Sequence, residues 1–383
     1  MSDAVLTYLK DHQAAMLDDA RTLVSLDSPS LEPALVNRCV DVVAGWAGGL
    51  GAQVRRLHDD GIADRLVAVW PAARGSGARR ALLMVHVDTV WPADETTRRP
   101  FRVEDGKAYG PGVYDMKGGV VQGLWALRAL RETGAWPAGL EVALLVNADE
   151  EIGSLQSRVL IEAEAKKSAF VCVLEPAEPP ANAYKTSRKG VGLFQVKIEG
   201  RASHAGGQPE KGISAVVELA HQTLALAALT DFARGTTVNV GVVQGGSRSN
   251  VVAADASASI DLRVRTMAEA ERVVPQILGL KPVLPGAKVT VTGGVNRPPM
   301  ERTPEGVALF DTAKRLAGEL GFPLEEAAAG GASDGNYTAG VGVPTIDGMG
   351  AVGDGAHALH EHLIVAEMAP RSALLARFLA SQG

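Results

Sequence analysis

The sequence predicts an α/β fold interrupted by an α+β insert. Three apolar runs without alternation carry the first half of this reading: residues 81–85, 142–146 and 170–174, with helical stretches between them. A strand buried on both faces is apolar at every position, as in a parallel sheet. The second half rests on a change of pattern. Beyond a cluster of prolines at Pro176, Pro179 and Pro180, apolar residues begin to alternate, as in half-buried strands.

In chain order, residues 4–26 have helical spacing and lead into a loop at Ser28, Pro29 and Ser30. Residues 66–70 read as a strand, followed by the first apolar run. A helix over residues 116–131 carries Val120, Val121, Leu124, Leu127 and Leu130 on one side. The second and third runs complete the strand–helix–strand order of a doubly wound sheet. In the insert, residues 193–198 alternate, a helix spans 213–229, and strands cover 237–243 and 251–263. The latter alternates through Ala256, Ala258, Ile260 and Leu262. A helix over 267–278 and a strand over 288–292 close the unit. From Glu305 the α/β style returns with a helix to residue 320, a short strand at 343–346 and a last helix at 366–379. The expected division is therefore residues 1–186 with 299–383 as one domain and 187–298 as the insert. A chain of 383 residues is too long for one ordinary core.

Composition narrows the function. A net charge of −6 argues against nucleic acid as partner, which calls for a basic face. Aromatics are 4%, so the core must be mostly aliphatic. Cys39 and Cys172 lie in or beside apolar stretches and read as buried thiols of a reducing compartment. Residues 1–21 lack the apolar centre of a secretory signal, and no apolar run approaches ~18 residues. The expected location is the cytoplasm, with no membrane contact.

The chemistry sits where the apolar runs end. The first is followed by His86-Val87-Asp88, the second by Asn147-Ala148-Asp149-Glu150-Glu151, the third by Glu175, and Asp115 directly precedes the helix near Met116. In open α/β sheets, ligands bind beyond the carboxyl ends of the strands. Singly, each has a plain reading: a strand-end histidine, a helix N-cap, a solvated acidic pair, a turn. Together they crowd carboxylates that cannot all stay charged without cations. A metal site resolves this. His357, His360 and His362 follow a glycine-rich loop and add imidazoles, and spacing alone does not choose among them.

The ordered segments His86-Val87-Asp88-Thr89-Val90, Gly110 to Gly119, Asp149 to Ser154, Glu175-Pro176 and His357-Ala358-Leu359-His360-Glu361 resemble the co-catalytic zinc peptidases. That family includes glutamate carboxypeptidase, acetylornithine deacetylase, succinyl-diaminopimelate desuccinylase and aminoacylase. The likeness is greatest to the glutamate carboxypeptidase group, through Tyr114-Asp115-Met116-Lys117-Gly118-Gly119 and Gly200 to Gly206. It implies a zinc-exopeptidase-like domain with a mixed sheet flanked by helices, and an insert that acts as lid and homodimer surface.

The resemblance also implies roles. Asp115 would bridge two zinc ions, with His86 and Glu175 on one and Glu151 and His357 on the other. His357 is chosen because the family's ligand precedes a glutamate by four positions, here Glu361. Asp88 would hold the second ring nitrogen of His86, and a cis peptide would follow Asp115. Met116 replaces an aspartate found in many relatives. Glu150 would be the general base for a water held between the metals. Oxygen and nitrogen ligands without thiolate suit zinc, with cobalt or manganese as substitutes. His204, from the insert of a partner subunit, would donate to the oxyanion, Asn250 would contact substrate nearby, and Arg263 is a candidate clamp for its terminal carboxylate. The expected reaction is release of a C-terminal glutamate-like residue, with N-acyl amino acid deacylation or dipeptide cleavage as the alternative.

A rival motif is Gly331-Ala332-Ser333-Asp334-Gly335, which fits the serine-hydrolase elbow with Asp347 and His357 following in triad order. No aliphatic run precedes it, and it leaves the carboxylates unexplained.

Overall fold

The computed structural model describes residues 4–73 and 77–383. The chain forms two compact units, one running to Ser187 and resuming over Arg302–Ala329 and Ser333–Gly383, the other Arg188–Glu301 with Gly330–Ala332.

The first unit is built on a six-stranded sheet. Its strands are β1 (Gln53–Leu57), β2 (Arg65–Trp70), β3 (Arg79–His86), β4 (Leu140–Asn147), β5 (Phe170–Val173) and the short strand Thr345–Ile346, in spatial order β1-β2-β4-β3-β5 and then Thr345–Ile346. The three unbroken apolar runs are the parallel centre of this sheet. β3 pairs with β4 so that His86 faces Asn147, and with β5 so that Met84 faces Val173. Both faces are covered. Leu83, Val85, Leu144, Val146 and Cys172 enter one apolar cluster, and Leu82, Met84, Ala143, Leu145 and Val171 enter another. That two-sided burial is why these strands do not alternate.

The sheet is mixed rather than purely parallel, because β2 runs antiparallel to β4 and β1 antiparallel to β2. The helices Gly118–Glu132 and Val365–Ala380 cover one face, and Arg158–Lys166 contributes Ile161 and Ala165 to the other. Two local expectations are corrected and one helix is added. The N-terminal helix is two, Ala4–Asp11 and Gln13–Val24. A helix not foreseen, Pro33–Gly49, buries Val36, Cys39, Val40, Val43 and Ala47. The helix expected from Met116 starts at Gly118, after a wide turn over Val113–Lys117 in which Asp115 and Met116 leave helical geometry. Gly119 sits so close to the end of β5 that a Cβ there would lie 2.1 Å from the Leu174 carbonyl oxygen. Only glycine permits that approach.

The second unit is a four-stranded antiparallel sheet of β6 (Gly190–Glu199), β7 (Thr237–Gly245), β8 (Asp255–Val264) and β9 (Lys288–Arg297), in the order β7-β8-β6-β9. The alternation read from Ala256 to Leu262 places those side chains in one apolar cluster with Val196, Ile198, Leu219 and Val273. The helices Ala215–Ala227 and Met267–Leu278 supply the last two, and each is capped by a hydroxyl, Ser214 accepting from Val217 N–H and Thr266 from Glu269 N–H. No helix among the described residues is long and apolar enough to cross a membrane.

Candidate metal centre

Parallel pairing of β3, β4 and β5 ends all three strands on one edge of the sheet. His86 is the last residue of β3; Glu150 and Glu151 form a short turn after β4; Glu175 follows β5. Asp115 reaches the same edge from the turn before Gly118. His357 comes from the loop between Gly353–Asp354 and His362–Ile364, with a left-handed φ of 62° that a non-glycine residue holds only at a cost.

The two oxygens of Asp115 face different partners. Its Oδ1 is 3.3 Å from Nε2 of His86, which is 3.5 Å from Oε1 of Glu175. Its Oδ2 is 3.4 Å from Nε2 of His357, which is 3.1 Å from Oε2 of Glu151. Donor atoms of His86, Asp115 and Glu151 lie within 4.8 Å of one another, as do those of His86, Glu150 and Glu175. One carboxylate thus joins two imidazole–carboxylate pairs. The sequence left the choice of histidine open on spacing alone; His357 faces the cluster, while His360 is exposed and His362 turns its Nδ1 to the His360 carbonyl oxygen at 2.9 Å.

The electrostatics are those of a site short of positive charge. Asp115 would be pushed up by burial, but hydrogen bonds from His357 and His86 hold it well below the usual carboxylate range. Burial, with the charges of Asp115 and Glu150 beside it, pushes Glu151 up to about 8. Hydrogen bonds to Asp115 and Glu151 push His357 up to about 10. Burial opposes protonation of His86, yet Asp115, Asp88 and Glu175 outweigh it and raise its pKa well above the ordinary value. The raised histidines and the raised Glu151 have one cause: carboxylates crowded together with too little cationic charge beside them. The donor set of nitrogen and oxygen atoms, with no thiolate among the residues named, fits a divalent metal of the zinc type.

A surrounding layer fixes these groups. The ring nitrogen Nδ1 of His86 lies 3.0 Å from the Asp88 backbone carbonyl oxygen and 3.5 Å from its Oδ1, so the main chain is the nearer partner. The Asp88 carboxylate instead accepts from Ser30 Oγ at 2.7 Å and from the backbone N–H groups of Glu150 and Glu151 at 3.2 and 3.1 Å. It therefore aims the acidic turn as well as the histidine. The peptide between Asp115 and Met116 is cis. Met116 is buried, and its sulfur accepts from the His86 backbone N–H at 3.3 Å, a packing role that asks nothing of the metal site.

Glu361, a mere marker of His357 in the sequence, has a task in the fold. Its buried carboxylate accepts from the backbone N–H of Gly112, Tyr114 and Asp115 at 2.9, 3.0 and 3.1 Å, and from the Trp91 indole at 3.0 Å. It pins the turn that presents Asp115. The available signal was the spacing, an acid four residues after the chosen histidine.

The remaining predicted residues belong to the second unit. His204 is exposed, and its Nδ1 accepts from the backbone N–H of Gly206 and Gly207 at 3.1 and 2.9 Å. Asn250 lies beside it in the fold, its carbonyl oxygen accepting from Ala205 N–H at 3.0 Å. Arg263 is half-buried, and its Nε and Nη2 donate to the two oxygens of Asp261 at 2.8 and 2.9 Å.

A family profile described as peptidase family M20/M25/M40 matches residues 82–381. Carboxypeptidase G2 of Pseudomonas sp. strain RS-16 is 31% identical over 374 residues, spanning 96% of this chain and 88% of that protein. The chain belongs to the M20 peptidase family. Acetylornithine deacetylase of Myxococcus xanthus is 32% identical over 260 residues, 64% of this chain and 65% of that one. The aminopeptidase PepT of Bacillus cereus shares the fold, with a TM-score of 0.79 at 23% identity over 97% of this chain and 98% of that one. The likeness to glutamate carboxypeptidases and to deacetylases read from the motifs is borne out.

M20 membership makes this protein a metal-dependent hydrolase of peptide or amide bonds. The serine elbow is not part of that chemistry. Ser333 is fully buried and donates to Oδ2 of Asp347 at 2.6 Å, while His357, its would-be base, is engaged with Asp115 and Glu151.

Proposed function

We propose that this M20 enzyme is a two-zinc carboxypeptidase that releases a C-terminal glutamate-like residue from an N-acyl or peptidyl substrate. The observation that carries the two-ion reading is Asp115, whose oxygens face separate partners: His86 with Glu175, and His357 with Glu151. Zinc bound there would supply positive charge to polarise the scissile carbonyl and to make water acidic. Glu150 takes a proton from the attacking water and returns it to the leaving nitrogen. Asp88 keeps Glu150 and Glu151 in place through their backbone N–H groups. His204 suits the role of neutral donor. Two backbone N–H groups point at its Nδ1, so that atom accepts and the proton sits on Nε2, ready for an oxyanion. Arg263 is pre-oriented by Asp261 along its Nε–Nη2 edge, and its other edge would meet the substrate carboxylate.

Carboxypeptidase G2 as a relative at 31% identity over 96% of the chain favours the carboxypeptidase reading. Acetylornithine deacetylase at 32% identity supports a second, N-acyl amino acid deacylation. Folate-like, acetylated and dipeptide substrates, each with a free α-carboxylate or as the C-terminal amide, separate them with the zinc-loaded protein. Peptidyl and aroyl glutamates are expected to be cleaved best. Amidation is expected to lower kcat/KM by about 10–100-fold, the worth of a charged hydrogen bond. Absence of turnover for every free carboxylate would overturn the proposal.

The same reading includes a homodimer through the second unit. β7 is an edge strand exposing Val242 and Val243 (53 and 59%), and the helix Ala215–Ala227 exposes Leu224 (72%). An apolar edge of this kind suits pairing with a second copy of itself. Light scattering is expected to give a dimer, and a monomer at all concentrations would remove this part.

A further inference from the structure

The turn that carries Glu150 and Glu151 is tied at both ends to one distant carboxylate. It leaves β4 at Asn147 and ends at Ser154. Asp334, from a separate part of the first unit, accepts from Asn147 Nδ2 at 2.6 Å through Oδ2 and from Ser154 Oγ through Oδ1. Asn147 Nδ2 also donates to Ser154 Oγ at 3.0 Å, so the three side chains form a closed triangle. All three are buried. The arrangement continues on either side. Asn147 Oδ1 accepts from Ala148 N–H at 2.8 Å, Ser154 N–H donates to the Asp149 carbonyl oxygen at 2.8 Å, and Tyr337 Oη donates to that of Gly153 at 2.8 Å. Asp334 lines the same cavity as His86, Glu150 and Glu175.

We propose that Asp334 is a positioning residue for the reaction, a clamp that fixes the geometry of Glu150 and Glu151 without touching substrate or metal. It rests on the roles assigned to those two glutamates above. Asp88 holds the middle of the turn by its backbone N–H groups, and Asp334 holds its ends. A short turn offers few hydrogen bonds of its own, so the direction of two adjacent acidic side chains is set from outside. In a buried, low-dielectric setting those bonds are strong, and losing one leaves a polar group unpaired. A shift of under an ångström at Glu151 would be felt by the metal site, and at Glu150 by the proton transfer. The motif that resembles a serine elbow is thereby explained: Ser333 binds Asp347, and Asp334 serves the acidic turn.

The test uses Ser154→Ala, Asp334→Asn and the double variant, with Glu150→Gln as a control. Zinc affinity is read by competition with a chromophoric chelator, kcat and KM on the best substrate, and folding by thermal unfolding. Ser154→Ala is expected to lower kcat by about 10–100-fold and to weaken zinc binding within the same range, as loss of a partner to a ligand does. KM is expected to stay close to wild type, and the unfolding temperature to fall by only a few degrees, leaving the protein fully folded at the assay temperature. The double variant should be no worse than the poorer single, since the side chains act as a unit. If Asp334→Asn does not fold, Ser154→Ala alone decides. Wild-type kcat and zinc affinity in Ser154→Ala overturn the clamp, as does a loss that follows the folded fraction alone. An active Glu150→Gln overturns instead the catalytic roles on which the clamp rests.

Discussion

Glu150→Gln is expected to lower kcat by about 10²–10⁴-fold, the range for removing a positioned general base, while zinc content and fold are retained. Glutamine keeps the shape of the side chain and can still meet its neighbours, but it cannot take a proton. Glu150 is 9% exposed, with an oxygen within 4.8 Å of donor atoms of His86 and Glu175. The pairs through Asp115 that define the two proposed sites run instead through His86 and His357. Loss of kcat with an unchanged KM would place the missing interaction in the transition state. Inductively coupled plasma measurement of zinc on the same samples separates a lost base from a lost ligand. A variant that lost metal in step with activity would make Glu150 a ligand instead.

Asp115→Asn is expected to abolish co-binding of two zinc ions and to reduce activity at least as far. An amide is neutral, and its nitrogen end does not ligate, so both pairs lose their shared anion and one of them also loses a ligating atom. The fold should survive, because Glu361 holds the Asp115 turn through backbone N–H groups that the substitution leaves in place. The histidines add a second signature. In the metal-free chain His357 is raised to about 10, so it carries a proton at neutral pH, and the neighbouring carboxylates raise His86 in the same direction. Metal requires neutral imidazoles, so uptake must expel protons and affinity must rise with pH. In the Asp115→Asn variant the chief partner that raises His357 is gone, and fewer protons should be released. Calorimetric titration of zinc in buffers of different ionisation heat reads both effects. A variant that still takes up two equivalents, or a wild type that releases no protons, would contradict this reading.

The parts of the fold that sequence makes legible are those where burial leaves a periodic trace. β3, β4 and β5 stand out because each is apolar on both faces, and β8 because it alternates. The same logic singles out His86, Glu150, Glu151 and Glu175 as candidates, since each closely follows such a strand or ends it. The helix Pro33–Gly49 has the right spacing in Val36, Val40, Val43 and Ala47, but Gly45, Gly48 and Gly49 weaken it as a helical signal. The antiparallel placement of β2 beside β4 leaves no trace in either strand, as pairing direction is decided by connections rather than composition. The choice of His357 among three histidines came from family likeness, and the structure supplies its physical reason in Asp115 and Glu151.

Supporting contacts were the least legible. Glu361 reaches across to residues 112–115, and Asp334 reaches back to Asn147 and Ser154. Such bonds join single residues far apart in the chain, with no periodicity to announce them. Asp88 was expected to serve His86 with its carboxylate, and that carboxylate is shared with Ser30 and the acidic turn while the main chain takes the nearer ring contact.

Two cations on either side of Asp115 are what the proposed chemistry requires. Anomalous difference density from zinc-soaked crystals, collected at the zinc absorption edge, is the most direct reading. Two peaks are expected about 3.5–4 Å apart, one beside His86 and Glu175 and the other beside Glu151 and His357, with Asp115 between them. A single peak, or zinc bound away from Asp115, would contradict it.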